Sequence, residues 1–252
     1  MNRLFVTISI ATISFFTAAA QDATTLMAEG LKYEQQLKDT QAIVKYTDAF
    51  KMQPSNIKAA LKAAEMNISI GLRQPSPEGK ARYYQEAKSL TEAALQLSPE
   101  NAAANYTMAV VYDKLATTEV KNDKFGEAVR NTKIYADKAL LIDTTLGKAW
   151  YIIGKWHTDI INMNPVKKAA VKVLYGGMPK SNLDDAIRSY EKCKQLEPYY
   201  APNYLGLAAA YRTAKQYEKS LAALQQCVKC PTMSPADKVV KEEAKKLIVD
   251  WQ

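Results

Sequence analysis

Five small residues, Gly30, Ala64, Ala109, Gly154 and Ala208, each stand in the same local pattern. A partner in the stripe lies four positions before each, and a Tyr, Asn or His three positions after. Downstream of each comes a second small-residue stripe, opened by Ala42, Ala87, Thr132, Ala186 and Ser220. A spacing of three and four residues is that of one helix face, and a small residue at its centre lets a second helix approach closely. The intervals between the five first small residues are 34, 45, 45 and 54, and the distances to the second stripe are 12, 23, 23, 32 and 12. The unit is therefore 34 residues long, with 11, 11 and 20 residues inserted between its two helices in the second, third and fourth copies. Insertions confined to one turn leave stacking between units intact, which a chance alignment would not respect. Composition agrees: Ala occurs 37 times against nine Gly and ten Pro. Ala is the best helix former, and a turn-rich β chain needs more Gly and Pro.

The five copies read Leu26, Gly30, Tyr33, Ala42, Tyr46, Ala49; then Ala60, Ala64, Asn67, Ala87, Thr91, Ala94; then Asn105, Ala109, Tyr112, Thr132, Ala136, Ala139. The last two read Trp150, Gly154, His157, Ala186, Tyr190, Cys193 and Tyr204, Ala208, Tyr211, Ser220, Leu224, Cys227. This stripe resembles the tetratricopeptide (TPR) repeat. It predicts an all-α, right-handed solenoid of about five helix pairs with insertions between helices A and B and a C-terminal capping helix. The expected domain covers 21–252, with repeats at about 23–56, 57–101, 102–146, 147–200 and 201–234 and the cap at 235–250. Ser234-Pro235-Ala236-Asp237 opens that cap with helix-start chemistry. Val240, Ala244, Leu247, Ile248 and Trp251 give it one apolar stripe to cover the last repeat.

The net charge of +8 is spread along the chain rather than clustered, so no nucleic-acid partner is expected. Met1–Arg3, the apolar Leu4–Phe16 and Ala18-Ala19-Ala20 read as a signal peptide over residues 1–20, which predicts an exported, periplasmic or secreted protein. Three cysteines are too few to build such a fold by disulfides. Cys227 and Cys230 form a CxxC that suits a disulfide or redox pair, but Cys193 and Cys227 occupy the small-residue slot of helix B, where a thiol serves as a compact hydrophobe.

His157, the single histidine, takes the slot of a packing Tyr and reads as a packed, hydrogen-bonded ring. Asp184 and Asp185 fall in the first turn of a helix, where carboxylates satisfy N–H groups and the dipole. No phosphate loop, zinc motif or nucleophile elbow occurs, so no catalytic residue, metal or cofactor is expected, and the chain is not read as an enzyme. The insertion Pro165–Lys180 carries an apolar stripe of Val166, Ala169, Ala170, Val173 and Leu174 opposite Lys167, Lys168 and Lys172. It either packs on the solenoid's flank, the reading the sequence favours, or lies on an anionic membrane or acidic partner.

From Trp150 onward the resemblance is narrower. Gly154-Lys155-Trp156-His157, Lys168-Ala169-Ala170 and Leu174-Tyr175-Gly176-Gly177-Met178-Pro179-Lys180 resemble the regulator of microtubule dynamics protein family. So do Asp185-Ala186, Leu196-Glu197-Pro198, Pro235-Ala236-Asp237 and Glu242-Glu243-Ala244-Lys245-Lys246-Leu247. The resemblance implies a TPR-like helical adaptor, since members are associated with microtubules, organelle contact sites or lipids. It brings no catalytic residues. The expected function is a protein-interaction adaptor of the cell envelope, with a protein or peptide partner. The alternative is a membrane-surface or lipid binder using helix 165–175. Partners of TPR folds lie along the concave helix A surface, which nominates Lys58, Glu65, Tyr106, Asp113, Lys148, Tyr151, Lys155 and Arg212.

Overall fold

A computed structural model describes residues 22–118 and 122–251. Among these residues there are twelve α-helices and no strand. The segment read as a signal peptide lies outside the described residues. Helix α1 spans 22–35, followed by α2 (Asp39–Met52), α3 (Ile57–Leu72), α4 (Pro77–Leu97), α5 (Ala102–Thr118) and α6 (Asn122–Ile142). Then come α7 (Gly147–Asn162), α8 (Pro165–Tyr175), α9 (Leu183–Leu196), α10 (Ala201–Thr213), α11 (Tyr217–Lys229) and α12 (Pro235–Trp251). The A helices are α1, α3, α5, α7 and α10; the B helices are α2, α4, α6, α9 and α11. From α2 onward each B helix packs on the next A helix as well as on its own, and successive A helices also touch: a TPR solenoid.

The five small residues that predict the layout are buried, and so are Ala42, Ala87, Thr132, Ala186 and Ser220 on the B helices. The fourth pair shows how close the helices come. The Tyr190 ring of α9 lies where a Cβ on Gly154 of α7 would stand 2.9 Å from it, and a Cβ on Gly206 of α10 would stand 2.8 Å away. One aromatic ring thus fills the space that two glycines leave on consecutive A helices. Its hydroxyl meets Thr158 Oγ1 at 3.0 Å, so the buried phenol oxygen is not stranded. Tyr46 repeats the arrangement against Gly30, its hydroxyl donating to Glu34 at 2.6 Å.

The insertions are themselves helical. In the second repeat, Ser76 accepts from Gly79 N–H and Pro77 opens α4, which runs 21 residues against 14 for α2. In the third, α6 is also 21 residues long. In the fourth, the extra chain forms α8, capped by Asn164 accepting from Lys167 N–H. Gly176 ends it at φ +66, a left-handed backbone that a side chain resists. Its Val171 joins Phe125, Val129, Trp156 and Ile160 in a buried cluster with α6 and α7. The cap α12 starts as expected: Asp237 Oδ2 accepts from Met233 and Ser234 N–H, each at 2.8 Å.

The α8 face that docks is rotated from the expected one: Ala170 and Leu174 of the expected stripe face α6 beside Val171 and Tyr175, whereas Val166, Ala169 and Val173 face out. Gly126 on α6 stands at this contact, where a Cβ would sit 3.3 Å from the Ala170 carbonyl and 3.4 Å from Leu174, so the missing side chain favours a close approach of α8.

Gly154→Val forces the Tyr190 ring out of its slot and should cost about 2–3 kcal/mol. Tyr190→Phe keeps the ring and loses only the Thr158 bond, a cost of about 1 kcal/mol. Urea unfolding of the two variants beside the parent checks the order; equal losses would place the strain elsewhere.

Candidate partner-binding groove

The solenoid curves far enough to bring its C-terminal end back toward α3, and α12 touches α3. Between them lies a groove of about 550 Å³. Its floor is helix A surface: Glu65 and Met66 of α3, Tyr106 and Lys114 of α5, Lys148 and Tyr151 of α7. Its far wall comes from two turns, Glu197–Tyr200 before α10 and Met233–Asp237 before and into α12.

The chemistry of the lining is aromatic and acidic. Tyr200 stands edge-on to Tyr151, with ring centres 5.2 Å apart, and the Lys148 ammonium lies 5.4 Å from the Tyr200 centre. Burial pushes the hydroxyls of Tyr106, Tyr151 and Tyr200 well above the ordinary phenol range, so they stay neutral donors and acceptors. Glu34, Asp39, Glu65, Glu197 and Asp237 line the cavity, against the two lysines Lys114 and Lys148. Asp39 is held by Arg73 at 2.9 Å and by Ser69 at 2.7 Å. Lys62 bridges Glu34 and Glu65, each at 3.0 Å. An acid excess in a chain of net charge +8 is a local property of this surface.

Of the eight nominated residues, Glu65, Tyr106, Lys148 and Tyr151 line the groove. Asp113 and Lys155 form an ion pair instead of lining it: the Asp113 oxygens meet Lys155 at 2.8 Å and Lys114 at 2.9 Å, and Lys155 also binds Asp159 at 2.5 Å. Burial works against the Asp113 charge, yet the two lysines outweigh it and hold the carboxyl well below the usual range. Burial likewise opposes the Lys155 charge, which Asp113 and Asp159 keep above an ordinary lysine's. Asp159, with less help, is pushed up by burial. Lys58 is exposed outside the lining. Arg212 also lies outside it: its guanidinium sits 4.2 Å from the centre of the Trp251 ring and seats the cap α12.

Sequence reasoning missed the far wall. Glu197, Pro198 and Tyr200, with Pro235, Ala236 and Asp237, come from or adjoin segments that the sequence marks by family resemblance, but only curvature puts them opposite α3 and α5. The remaining sequence candidates are structural. His157 is buried edge-on to Trp156, 5.1 Å between ring centres, and burial pulls its pKa down. Its Nδ1 has no hydrogen-bond partner, unlike the bonded ring expected. Asp185 takes part in the N-cap of α9, donating its N–H to Asn182, and pairs with Arg188. Cys193, Cys227 and Cys230 are all free and buried, and burial pushes the Cys193 and Cys227 thiols up to about 12.

A sequence-family description, regulator of microtubule dynamics protein 1-3, matches residues 26–252. The regulator of microtubule dynamics protein 2 of Bos taurus is 23% identical over 169 residues, 67% of this chain and 41% of its own length. The regulator of microtubule dynamics protein 1 of Caenorhabditis elegans is 25% identical over 177 residues, 69% of this chain and 76% of its own. The chain thus spans about two fifths of the bovine relative. Among solved structures, a thermophilic TPR protein of Thermus thermophilus superposes with a TM-score of 0.63 at 14% identity, covering 89% of this chain and all of that one. The animal relatives correct one expectation. They are named for microtubule dynamics, which points away from the periplasmic or secreted location expected from the sequence.

Asp113→Asn leaves Lys114 and Lys155 short of a buried counter-charge and should cost about 3–5 kcal/mol at neutral pH. Because the folded Asp113 pKa lies below its unfolded value of about 3.9, its stabilisation is present above that pH and fades as pH falls toward the folded value. The gap between parent and variant in urea unfolding should therefore shrink below about pH 4. A colorimetric thiol reagent at mildly alkaline pH should find none of the three cysteines until denaturant is added; fast native labelling would contradict their burial.

Proposed function

The chain belongs to the regulator of microtubule dynamics protein family, and on that footing we propose that it is a non-catalytic adaptor holding an extended segment of a partner protein in the groove. The observation that carries this reading is the groove's construction: three A helices supply a floor bearing Tyr and Glu, and two C-terminal turns face it across a cavity of about 550 Å³. Concave sites of this size with a few placed polar groups suit a short stretch of chain. The TPR architecture supports a protein partner in general.

The lining favours a segment bearing Lys or Arg. Carboxylates of Glu65 and Glu197 attract such a cation, and Tyr106, Tyr151 and Tyr200 offer rings to it. Catalysis finds no support in the same residues. The tyrosine hydroxyls are held neutral, Asp113 and Lys155 neutralise each other, and the thiols are buried and protonated.

A photo-crosslinking amino acid placed at position 106 or 151 should capture the partner in cells, whereas one at position 58 or 212 should not. Glu65→Gln with Glu197→Gln should then weaken binding of that partner by about tenfold, while circular dichroism shows the helical content of the parent. Capture from positions 58 and 212 alone would move the site off the groove.

A further inference from the structure

Most of the charge lining the groove is already satisfied within the protein. Lys62 bridges Glu34 and Glu65, and the Tyr46 hydroxyl also donates to Glu34. Asp39 is held by Arg73 and Ser69. Asp237 accepts the N–H groups of Met233 and Ser234, and Lys114 is paired with Asp113. Two charges are left over. Among the described residues, neither the Glu197 carboxylate nor the Lys148 ammonium, both in the groove lining, makes an ion pair or a hydrogen bond.

One glycine brings the two together. Gly147 opens α7, and a Cβ on it would collide with Glu197 Cγ and stand 2.8 Å from Leu196 Cβ. With no side chain there, the turn after α9 packs onto the start of α7, and Glu197 lies beside the residue that precedes Lys148. Yet the Lys148 ammonium does not pair with that carboxylate. It lies 5.4 Å from the centre of the Tyr200 ring, which Tyr151 backs edge-on at 5.2 Å. The ring therefore already attracts a cation, while the neighbouring carboxylate has none. A guanidinium can satisfy both at once, since its flat face stacks on a ring and its N–H fork reaches a carboxylate in the same plane. An ammonium is a point charge with no such fork.

Resting on the groove as the partner site, we propose that this corner is an arginine seat: a guanidinium of the bound segment stacks on Tyr200, donates to Glu197 and displaces Lys148, which holds the ring in the free protein. Glu197 is then the residue that selects the side chain. Glu65 contributes little to the choice, because Lys62 already neutralises it. Lys148 is an internal competitor, and it makes the seat selective: a group that engages only the ring gains nothing over the ammonium it must turn out.

The test titrates a blocked pentapeptide, acetyl-Gly-Ser-Arg-Ser-Gly-amide, into the full chain and follows the backbone amide resonances of the groove residues. Two further peptides carry lysine or citrulline in place of arginine; citrulline keeps the shape and removes the charge. The arginine peptide should move the resonances of Glu197, Tyr200 and Tyr151 and bind about tenfold more tightly than the citrulline form, with lysine between them. Glu197→Gln should abolish that difference, whereas Glu65→Gln should change arginine binding by less than about twofold. Lys148→Met keeps the stem, removes the competing ammonium and should tighten arginine binding by about threefold. All three substitutions preserve side-chain length, so circular dichroism should match the parent. The proposal is overturned if the arginine peptide moves no groove resonance, or if citrulline binds as arginine does. It is equally overturned if Glu65→Gln costs as much as Glu197→Gln, or if Lys148→Met weakens binding. Photo-crosslinking reports on the groove separately: capture from position 106 or 151 with no preference for arginine strikes the seat alone, whereas capture from 58 and 212 alone removes the groove and the seat with it.

Discussion

In the first, second and fourth helix pairs an aromatic ring is sunk into a space where the facing helix has no side chain, and this contact sets how closely those helices approach. Tyr190 is the clearest instance: its ring stands where a Cβ of either Gly154 or Gly206 would lie within 3 Å, and its hydroxyl still finds Thr158. The contact joins α7, α9 and α10, so it sets both the spacing within a pair and the step to the next pair. Tyr46 packs in the same way against Gly30. In the second pair the ring moves: Thr91 takes the repeat's slot, and Tyr84 packs on Gly71, nearer the turn that joins the two helices. That displacement is possible because the insertion extends α4 at its start and supplies the extra turns.

Curvature converts this spacing into a site. The succession of helix pairs turns the chain until α12 meets α3. Residues far apart in sequence, Glu65 and Glu197, Tyr106 and Asp237, then share one cavity. Close to its Lys114, the Asp113 pair with Lys155 ties α5 to α7. Paired charges there keep the two floor helices in one arrangement, since a shift of either would leave a buried ion alone.

The helical periodicity of the sequence carries most of the fold. Gly30, Ala64, Ala109, Gly154 and Ala208 mark contacts that the structure buries, and the cap's Ser234–Asp237 start is as the residues suggest. Half of the nominated groove residues line it. Asp113 and Lys155 do not, because their lengths and opposite charges let them satisfy each other, a choice that spacing along one helix does not reveal. Arg212 turns to Trp251 because α12 packs against α10. The far wall escapes a reading made one repeat at a time, for it arises from the sum of small rotations between repeats.

The insertion helix marks the same boundary from the other side. Its apolar stripe is plain in the sequence, and on that basis Val166 and Val173 belong inside; the structure turns them outward. Gly126, more than forty positions away, stands at the contact with Ala170, and its missing side chain favours a close approach there. The sequence by itself determined that the chain pairs helices and where small residues meet large ones between them, because these are set by neighbours three and four positions apart. Only the tertiary structure decided which face of α8 is covered and which turns close the groove, because both depend on how separate helices share the same space.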